Sequence, residues 1–323
     1  MITLCDHGSK MNLDVQRMRR RIRLRDLDTF MAVVSAGGMR RAAEKLHLSQ
    51  PAVSKAIAEL ENALGVPLLE RSRQGVAVTP FGQALAARTR SMFDALDQGV
   101  QEIAHLADPD AGEVNIACPE VYNAGLVATA MEHMNRASPR VRFGVDTGDA
   151  PVLVSQFLLG RLSDVVIVRP HGELVDPAIR AEPLLHERLQ VVVHKDSAWA
   201  KRRQVTLAQL AGERWILSRN EAVGDSPVVE AFRREGLPLP ACWALSGSLQ
   251  MRFALLPSGP FVTVMPRSFL RYVGNRYPVK VLPIEIGKWA MPTMILTLAK
   301  RPQSPATTKL LAIVRELARS LDD

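Results

Sequence analysis

The sequence predicts an α/β protein in three parts: an N-terminal winged helix-turn-helix, a long linker helix, and a two-lobed, doubly wound α/β body. Three observations carry that prediction. Two short helical patterns meet at His47-Leu48, and the second opens with Ser-Gln-Pro-Ala-Val-Ser over 49–54. One unbroken helical pattern then runs from Phe81 to Ala107. From 113 onward, strand-like and helix-like stretches alternate to the end of the chain.

Residues 1–23 read as a basic, disordered arm, with Met11 and Met18 as alternative translation starts; the stretch lacks the apolar segment of a signal peptide. The head is expected over 24–80. Leu24, Leu27, Phe30, Met31, Val33 and Val34 make an apolar helical stripe that Gly37-Gly38 ends. Ala42, Ala43, Leu46 and Leu48 continue the core, Ala43 being small enough for close helix packing. Ser49 suits an N-cap, and Pro51 lies in the first turn, where its missing N–H costs little. Val53, Ile57, Leu60 and Leu64 face inward, and Gly65 stops the helix. Two helices joined by so short a turn form a helix-turn-helix. Gly75 flanked by Val76-Ala77-Val78, with Arg71 and Arg73 nearby, reads as a two-stranded wing.

Thr79-Pro80 introduces the linker helix, 81–107. Leu85, Thr89, Met92, Leu96, Gly99, Ile103 and Leu106 recur at alternating spacings of four and three, a heptad seam that pairs helices. The seam is weakened at Thr89 and Gly99, and packing of the helix on its own domain is the competing reading. Asp-Pro-Asp-Ala-Gly at 108–112 is a short linker.

Within the body, 113–323, strands are expected at Val114–Cys118, Val141–Val145 and Val165–Val168, with helices near Tyr122–Arg136 and Pro151–Gly160. Further strands fall at Leu189–Val193, Trp215–Leu217, Cys242–Leu245 and Phe261–Val264, with helices near Pro227–Glu235 and Ser248–Leu255. A strand at Met294–Leu298 and a helix from Pro305 to Leu321 close the chain. Such alternation predicts parallel sheets covered by helices on both faces, and the length calls for two lobes. Ligands of such folds bind at the carboxyl ends of strands, often between lobes.

Composition narrows the function. The chain has 323 residues and a formal charge of +8. Residues 1–90 hold 15 Lys/Arg against 8 Asp/Glu, whereas 91–323 hold 26 against 25. The basic excess thus belongs to the head, which suits contact with a polyanion, nucleic acid being the commonest. Cys5, Cys118 and Cys242 form no CxxC pair, as expected of a reducing cytoplasm. No metal-ligand spacing, Walker loop or ordered Ser-His-Asp set occurs, so no cofactor, metal or catalytic residue is expected. No apolar run reaches the ~18 residues of a membrane span.

Residues 42–71, AAEKLHLSQPAVSKAIAELENALGVPLLER, followed by TPFGQAL at 79–85, closely resemble the LysR-type transcriptional regulators. The resemblance extends over nearly all of the chain from Leu24, with weaker support from Ser138-Pro139 and from Gly160-Arg-Leu-Ser-Asp164. It implies a winged helix-turn-helix, a dimerising linker helix, an effector domain like the periplasmic binding proteins, and assembly as a dimer or tetramer. Departures are Leu69 in place of the family's usual phenylalanine, the charged Met39-Arg40-Arg41, and Ser163 inserted between Leu162 and Asp164.

On double-stranded promoter DNA, the candidates for base contact are Ser49, Gln50, Pro51, Ser54 and Lys55, at the start of a recognition helix. Gln50 can pair with an adenine edge, and Pro51 or Ala52 can touch a thymine methyl. Arg40, Arg41, Arg71 and Arg73 suit phosphates and the groove beside the wing. For the effector, polar groups at strand ends are the candidates: Glu120, Asn123, Thr147, Asp149 and Arg169 from one lobe, Ser218, Arg219, Asn220, Ser246 and Ser248 from the other. Backbone N–H groups near Tyr122 could hold an acid oxygen. Glu120 favours a sugar-like ligand and the two arginines an organic acid, so sugar, sugar acid and other organic acid stay open. RNA polymerase is a further partner compatible with regulation. A solute-binding protein without a regulatory role is the alternative function, opposed by the helix-turn-helix.

Overall fold

In a computed structural model of the chain, the described residues are 21–72, 75–108, 110–170, 176–224, 226–289 and 292–322. Residues 1–20 of the expected arm, Arg73 and the side chain of Arg71 lie outside them. The chain divides into two compact units, Met1–Asp97 and Gln98–Asp323.

The head is built from α1 (Leu24–Ala36), α2 (Met39–Leu46) and α3 (Gln50–Leu64). Phe30, Val33, Ala42, Val53, Ile57 and Leu60 are buried together in its core. Gly37 and Gly65 close α1 and α3 with φ of +65° and +72°, the left-handed cap that glycine adopts without a Cβ penalty. His47 takes the same region at φ +53° in the turn between α2 and α3, and its N–H bonds back to α2 carbonyls. Ser49 caps α3 by accepting from the N–H of Ala52 at 3.3 Å.

After α3 the chain forms an antiparallel wing of β1 (Leu69–Ser72) and β2 (Gly75–Val78), with Leu69 half-buried against the core. Leu68, at its base, is a junction. Its N–H donates to Glu61 Oε1 at 2.7 Å, and Leu69 N–H donates to the same oxygen at 3.1 Å. Its carbonyl accepts from Thr79 N–H at 3.0 Å. The Thr79 hydroxyl donates to the Pro67 carbonyl at 2.8 Å and accepts from Gly82 N–H at 3.0 Å. Thr79 thereby caps α4 (Pro80–Ala107), the linker helix. Of the heptad seam, Thr89 is buried, while Met92, Leu96, Ile103 and Leu106 are exposed, the last at 81%.

The body contains two five-stranded sheets. The first lobe runs in the order β4 (Arg140–Asp146), β3 (Ala111–Ala117), β5 (Val165–Val168), β12 (Thr293–Leu298), β6 (Ile179–Leu185). The second runs β11 (Val279–Lys288), β7 (Arg188–His194), β10 (Phe261–Pro266), β8 (Arg214–Leu217), β9 (Cys242–Leu245). A helical segment 120–137 (α5) and α10 (Pro305–Asp322) cover one face of the first sheet, and segment 150–158 (α6) covers the other. In the second lobe, α7 (Pro227–Arg234), α8 (Leu249–Leu255) and α9 (Arg267–Val273) play the same role. The chain passes from the first sheet to the second between β6 and β7 and is back in the first at β12, so the lobes are joined twice.

The sheets are mixed, which corrects the expectation of purely parallel ones. β3 pairs in parallel with β4 and β5, and β8 with β9 and β10. β12 is antiparallel to β5 and β6, and β7 to β10 and β11. A chain that leaves one lobe and returns enters each sheet from the far end, so the entering strand runs against its neighbours. Two strands escaped the sequence reading, β6 and β11. Both contain proline, Pro183 and Pro283, and both are edge strands, where a missing N–H costs no ladder bond. The strand β5 begins after Ser163, with Asp164 fixed by the N–H of Asn115 at 2.9 Å and by Arg301 at 3.2 Å.

Gly82 has no room for a side chain. A Cβ there would press into the carbonyl oxygen of Leu68 and the side chain of Val78. Gly82→Ala is therefore expected to destabilise the head by about 1–3 kcal/mol, the usual cost of overpacking. Urea unfolding of the full chain, followed at the head, checks this; unchanged stability would count against the junction.

Candidate functional site

Two places gather the side chains singled out from the sequence. The first is the start of α3. Ser49, Gln50, Pro51 and Lys55 are exposed there, while Val53, Ile57 and Leu60 on the opposite side are buried. Lys55 lies 3.9 Å from Glu59 on the same helix. Ser54 is half-buried and already has a partner. Arg40 and Arg41 are exposed at the start of α2; Arg40 pairs loosely with Glu44 at 3.7 Å, and Arg41 donates to the Gly37 carbonyl at 3.3 Å. A polar, solvent-facing helix start on a buried apolar core, with exposed arginines on the preceding helix, is the geometry that enters a DNA groove.

The second is a cavity of about 320 Å³ where the two lobes meet. Of the ten residues proposed from the sequence, Glu120, Thr147, Asp149, Arg169, Ser218, Asn220 and Ser248 line it. Asn123, Arg219 and Ser246 do not. Asn123 is occupied structurally: its amide donates to the carbonyls of Cys118 and Asp146, both at 3.3 Å. Arg219 is exposed. Ser246 supports the loop, its hydroxyl oxygen accepting from Ser248 N–H at 3.1 Å and its carbonyl from Arg252 at 2.9 Å. The N–H groups of Tyr122 and Asn123 donate to the Pro119 carbonyl at 2.9 and 3.2 Å, which closes the first turn of the helix that follows Pro119.

Among the other lining residues, the charged and aromatic side chains of Tyr122, Glu187, Glu221, Arg252 and Trp289 were not foreseen. Glu221 and Arg252 form a buried ion pair at 2.7 Å. The same Glu221 oxygen accepts from Ser218 N–H at 2.7 Å, and Arg252 also donates to the Val264 carbonyl at 3.1 Å. Arg169 lies over the indole of Trp289, 3.3 Å from the ring centroid, a cation–π contact. Glu187 sits between β6 and β7, 2% exposed, and accepts from both the N–H and the hydroxyl of Ser268. Tyr122 shares a hydrogen bond with Thr293 at 2.7 Å. Burial pushes the Glu187 carboxyl above its ordinary value, against the Ser268 hydrogen bonds that lower it. Burial likewise raises the Tyr122 phenol, and the neighbouring Glu187 adds to the effect.

The lobes also meet across this cavity. Glu120 of the first lobe accepts from Leu249 N–H of the second at 2.9 Å. No helix among the described residues is long and apolar enough to cross a membrane.

Comparison with known proteins covers both parts of the chain. Residues 24–83 match the family model "Bacterial regulatory helix-turn-helix protein, lysR family", and residues 107–319 match "LysR substrate binding domain". The HTH-type transcriptional regulator GbpR of Azospirillum brasilense is 28% identical over 92% of this chain and 87% of its own. PcaQ of Agrobacterium fabrum, another HTH-type transcriptional regulator, is 27% identical over 94% and 97%. Among solved structures, the LysR family regulator CbnR in complex with its target DNA superposes with a TM-score of 0.52 at 24% identity, covering 92% of this chain and all of that one. A full-length OxyR from Pseudomonas aeruginosa gives 0.60 at 20% identity, with 92% and 95% covered. At these identities the structures establish the shared fold.

The raised pKa of Glu187 has a definite sign in stability. In the unfolded chain the group ionises near ~4.3, and in the folded chain at higher pH. Its favourable contribution is complete below the unfolded value and is lost as pH rises through the folded one. Wild-type stability is expected to fall relative to Glu187→Gln across that interval and then to run parallel to it. Urea unfolding of both proteins between acid and neutral pH reads the difference; a flat or rising difference would contradict the burial argument.

Proposed function

The chain belongs to the LysR family of DNA-binding transcriptional regulators, and we propose that it reads promoter DNA with α3, senses a small molecule in the interlobe cavity, and pairs through α4. The observation that carries this reading is the exposed Ser-Gln-Pro turn at the start of α3, set on a buried apolar face. Gln50 meets an adenine edge, Pro51 a thymine methyl, and Lys55 the backbone or a mixed site. Arg40 and Arg41, with Arg71 and Arg73 near Gly75 in the sequence, position the head on phosphates. The GbpR and PcaQ relatives are transcriptional regulators, which leaves the solute-binding alternative without support.

In the cavity, the effector is held by Glu120, Thr147, Asp149 and Arg169 on one side and Ser218, Asn220 and Ser248 on the other. Closure of the lobes on it shifts a population of regulator conformations and so the spacing of heads on DNA. On α4, the apolar side chains of Met92, Leu96, Val100, Ile103 and Leu106 face solvent in the single chain. A run of that kind on one helix is covered by a second copy. Two such dimers form the tetramer, which acts in the cytoplasm, where RNA polymerase is a further partner.

Gel-shift on the promoter beside the protein's own gene tests the reading directly. Gln50→Ala is expected to cost about 1–3 kcal/mol at a single base position and to relax preference there. Arg40→Ala should weaken all sequences alike and flatten the salt dependence. An unchanged operator footprint for Gln50→Ala would remove that contact. Pairing has its own test: Ile103→Asp is expected to yield monomers in analytical ultracentrifugation while the body stays folded. Dimers of unchanged stability would place the interface elsewhere.

A further inference from the structure

One border of the first sheet concentrates positive charge. β6 is an edge strand, and a cavity of about 420 Å³ lies between it, α10 and the turn that follows β12. The register sets Arg180 beside Thr297 and Glu182 beside Ile295, so both β6 side chains share the sheet face that α10 covers. From α10, Arg315 reaches back to Glu182 and donates to its two oxygens at 2.7 and 2.9 Å. Lys300 and Arg301 enter from the turn.

Four cations, Arg180, Lys300, Arg301 and Arg315, thus border one cavity, and Glu182 is the carboxylate in its lining. Arg301 is balanced from outside that lining by Asp164, at 3.2 Å. The Glu182 carboxyl is held below its ordinary value, first by the Arg315 hydrogen bond against the opposing effect of burial, and Arg180 adds to the lowering. With both carboxylates counted, two positive charges remain in excess. Neither Arg180 nor Lys300 has an ion pair of its own among the described residues. The excess is local, since residues 91–323 as a whole hold 26 Lys/Arg against 25 Asp/Glu.

Guanidinium groups meet oxyanions through paired N–H donors, and an ammonium adds a point charge. A phosphate monoester brings close to two negative charges and three acceptor oxygens to one point. That matches the excess; a single carboxylate would balance half of it, and a neutral ligand none. The volume lies within the range of small-molecule sites. We propose that this cavity is a second ligand site, separate from the one between the lobes, for a small molecule bearing a dianionic phosphate group. Arg180 and Lys300 supply the attraction, and Arg301 and Arg315, fixed by their carboxylates, form the walls.

Inorganic phosphate and pyrophosphate are the probes, titrated calorimetrically into the full chain at a constant ionic strength of about 0.15 M, so that screening is the same throughout. Pyrophosphate is expected to bind and to raise Tm. Arg180→Ala combined with Lys300→Ala should weaken it by about tenfold or more, the loss of charge-assisted contacts. Lys300→Arg, which keeps the charge, should bind as the wild type does. Both side chains are exposed, so the double variant is expected to keep the fold, which circular dichroism checks. Binding of neither probe would overturn the inference. Binding of unchanged strength in the double variant would also overturn it, by placing the anion elsewhere, the basic head included. Loss of operator affinity in the double variant, with no pyrophosphate bound by the wild type, would assign the cluster to DNA instead.

Discussion

The head is organised around the backbone of a single residue, Leu68. Its N–H is held by Glu61 near the end of α3, and its carbonyl by Thr79 at the start of α4. Gly82 in the first turn of α4 lies so close to that carbonyl that no Cβ fits between them. α3, the wing and the start of α4 therefore meet within a few ångströms through directional hydrogen bonds and a hard steric contact. The angle between α3 and the first turns of α4 is fixed by this contact rather than by loosely packed side chains. Within the head, the junction leaves little freedom between α3 and the first turns of α4.

The body follows a different logic. Its cavity is assembled from both lobes and from the residues next to their connections, Glu187 between β6 and β7 and Trp289 just after β11. Buried charge is present but internally paired. Glu221 and Arg252 are worth little to stability as a pair, yet removing one partner would strand the other in a low-dielectric wall. Such pairing shapes the wall of the cavity. The Glu120 bond to Leu249 gives the lobes a direct polar contact whose making and breaking accompanies any change in their closure.

Much of the head was legible because its determinants are local. Ser49, Pro51 and Gly65 act within a turn of where they stand, and the burial of Val53, Ile57 and Leu60 follows from helical periodicity. The parallel core strands were legible as continuous apolar runs such as Val165–Val168, buried on both faces. The edge strands β6 and β11 were not, since Pro183 and Pro283 argue against a strand unless its place at an edge is known. The antiparallel entry of β7 and β12 depends on connections between distant segments. In the cavity, strand-end polar residues were found by position alone. Glu187, Arg252 and Trp289 enter it through long-range folding, with no local pattern to mark them. Arg219 and Asn123 show the converse: residues of suitable chemistry at strand ends, one turned to solvent and the other spent on backbone carbonyls.

The central claim is that the Leu68 junction couples the reading helix to the linker helix. The most direct measurement is the ratio of operator to non-specific DNA affinity for Glu61→Ala, in which Leu68 and Leu69 lose their shared acceptor. Operator affinity is expected to fall while non-specific, salt-dependent affinity is kept, so that the ratio collapses in a chain that remains folded. An unchanged ratio would show that the junction does not set how this protein reads DNA.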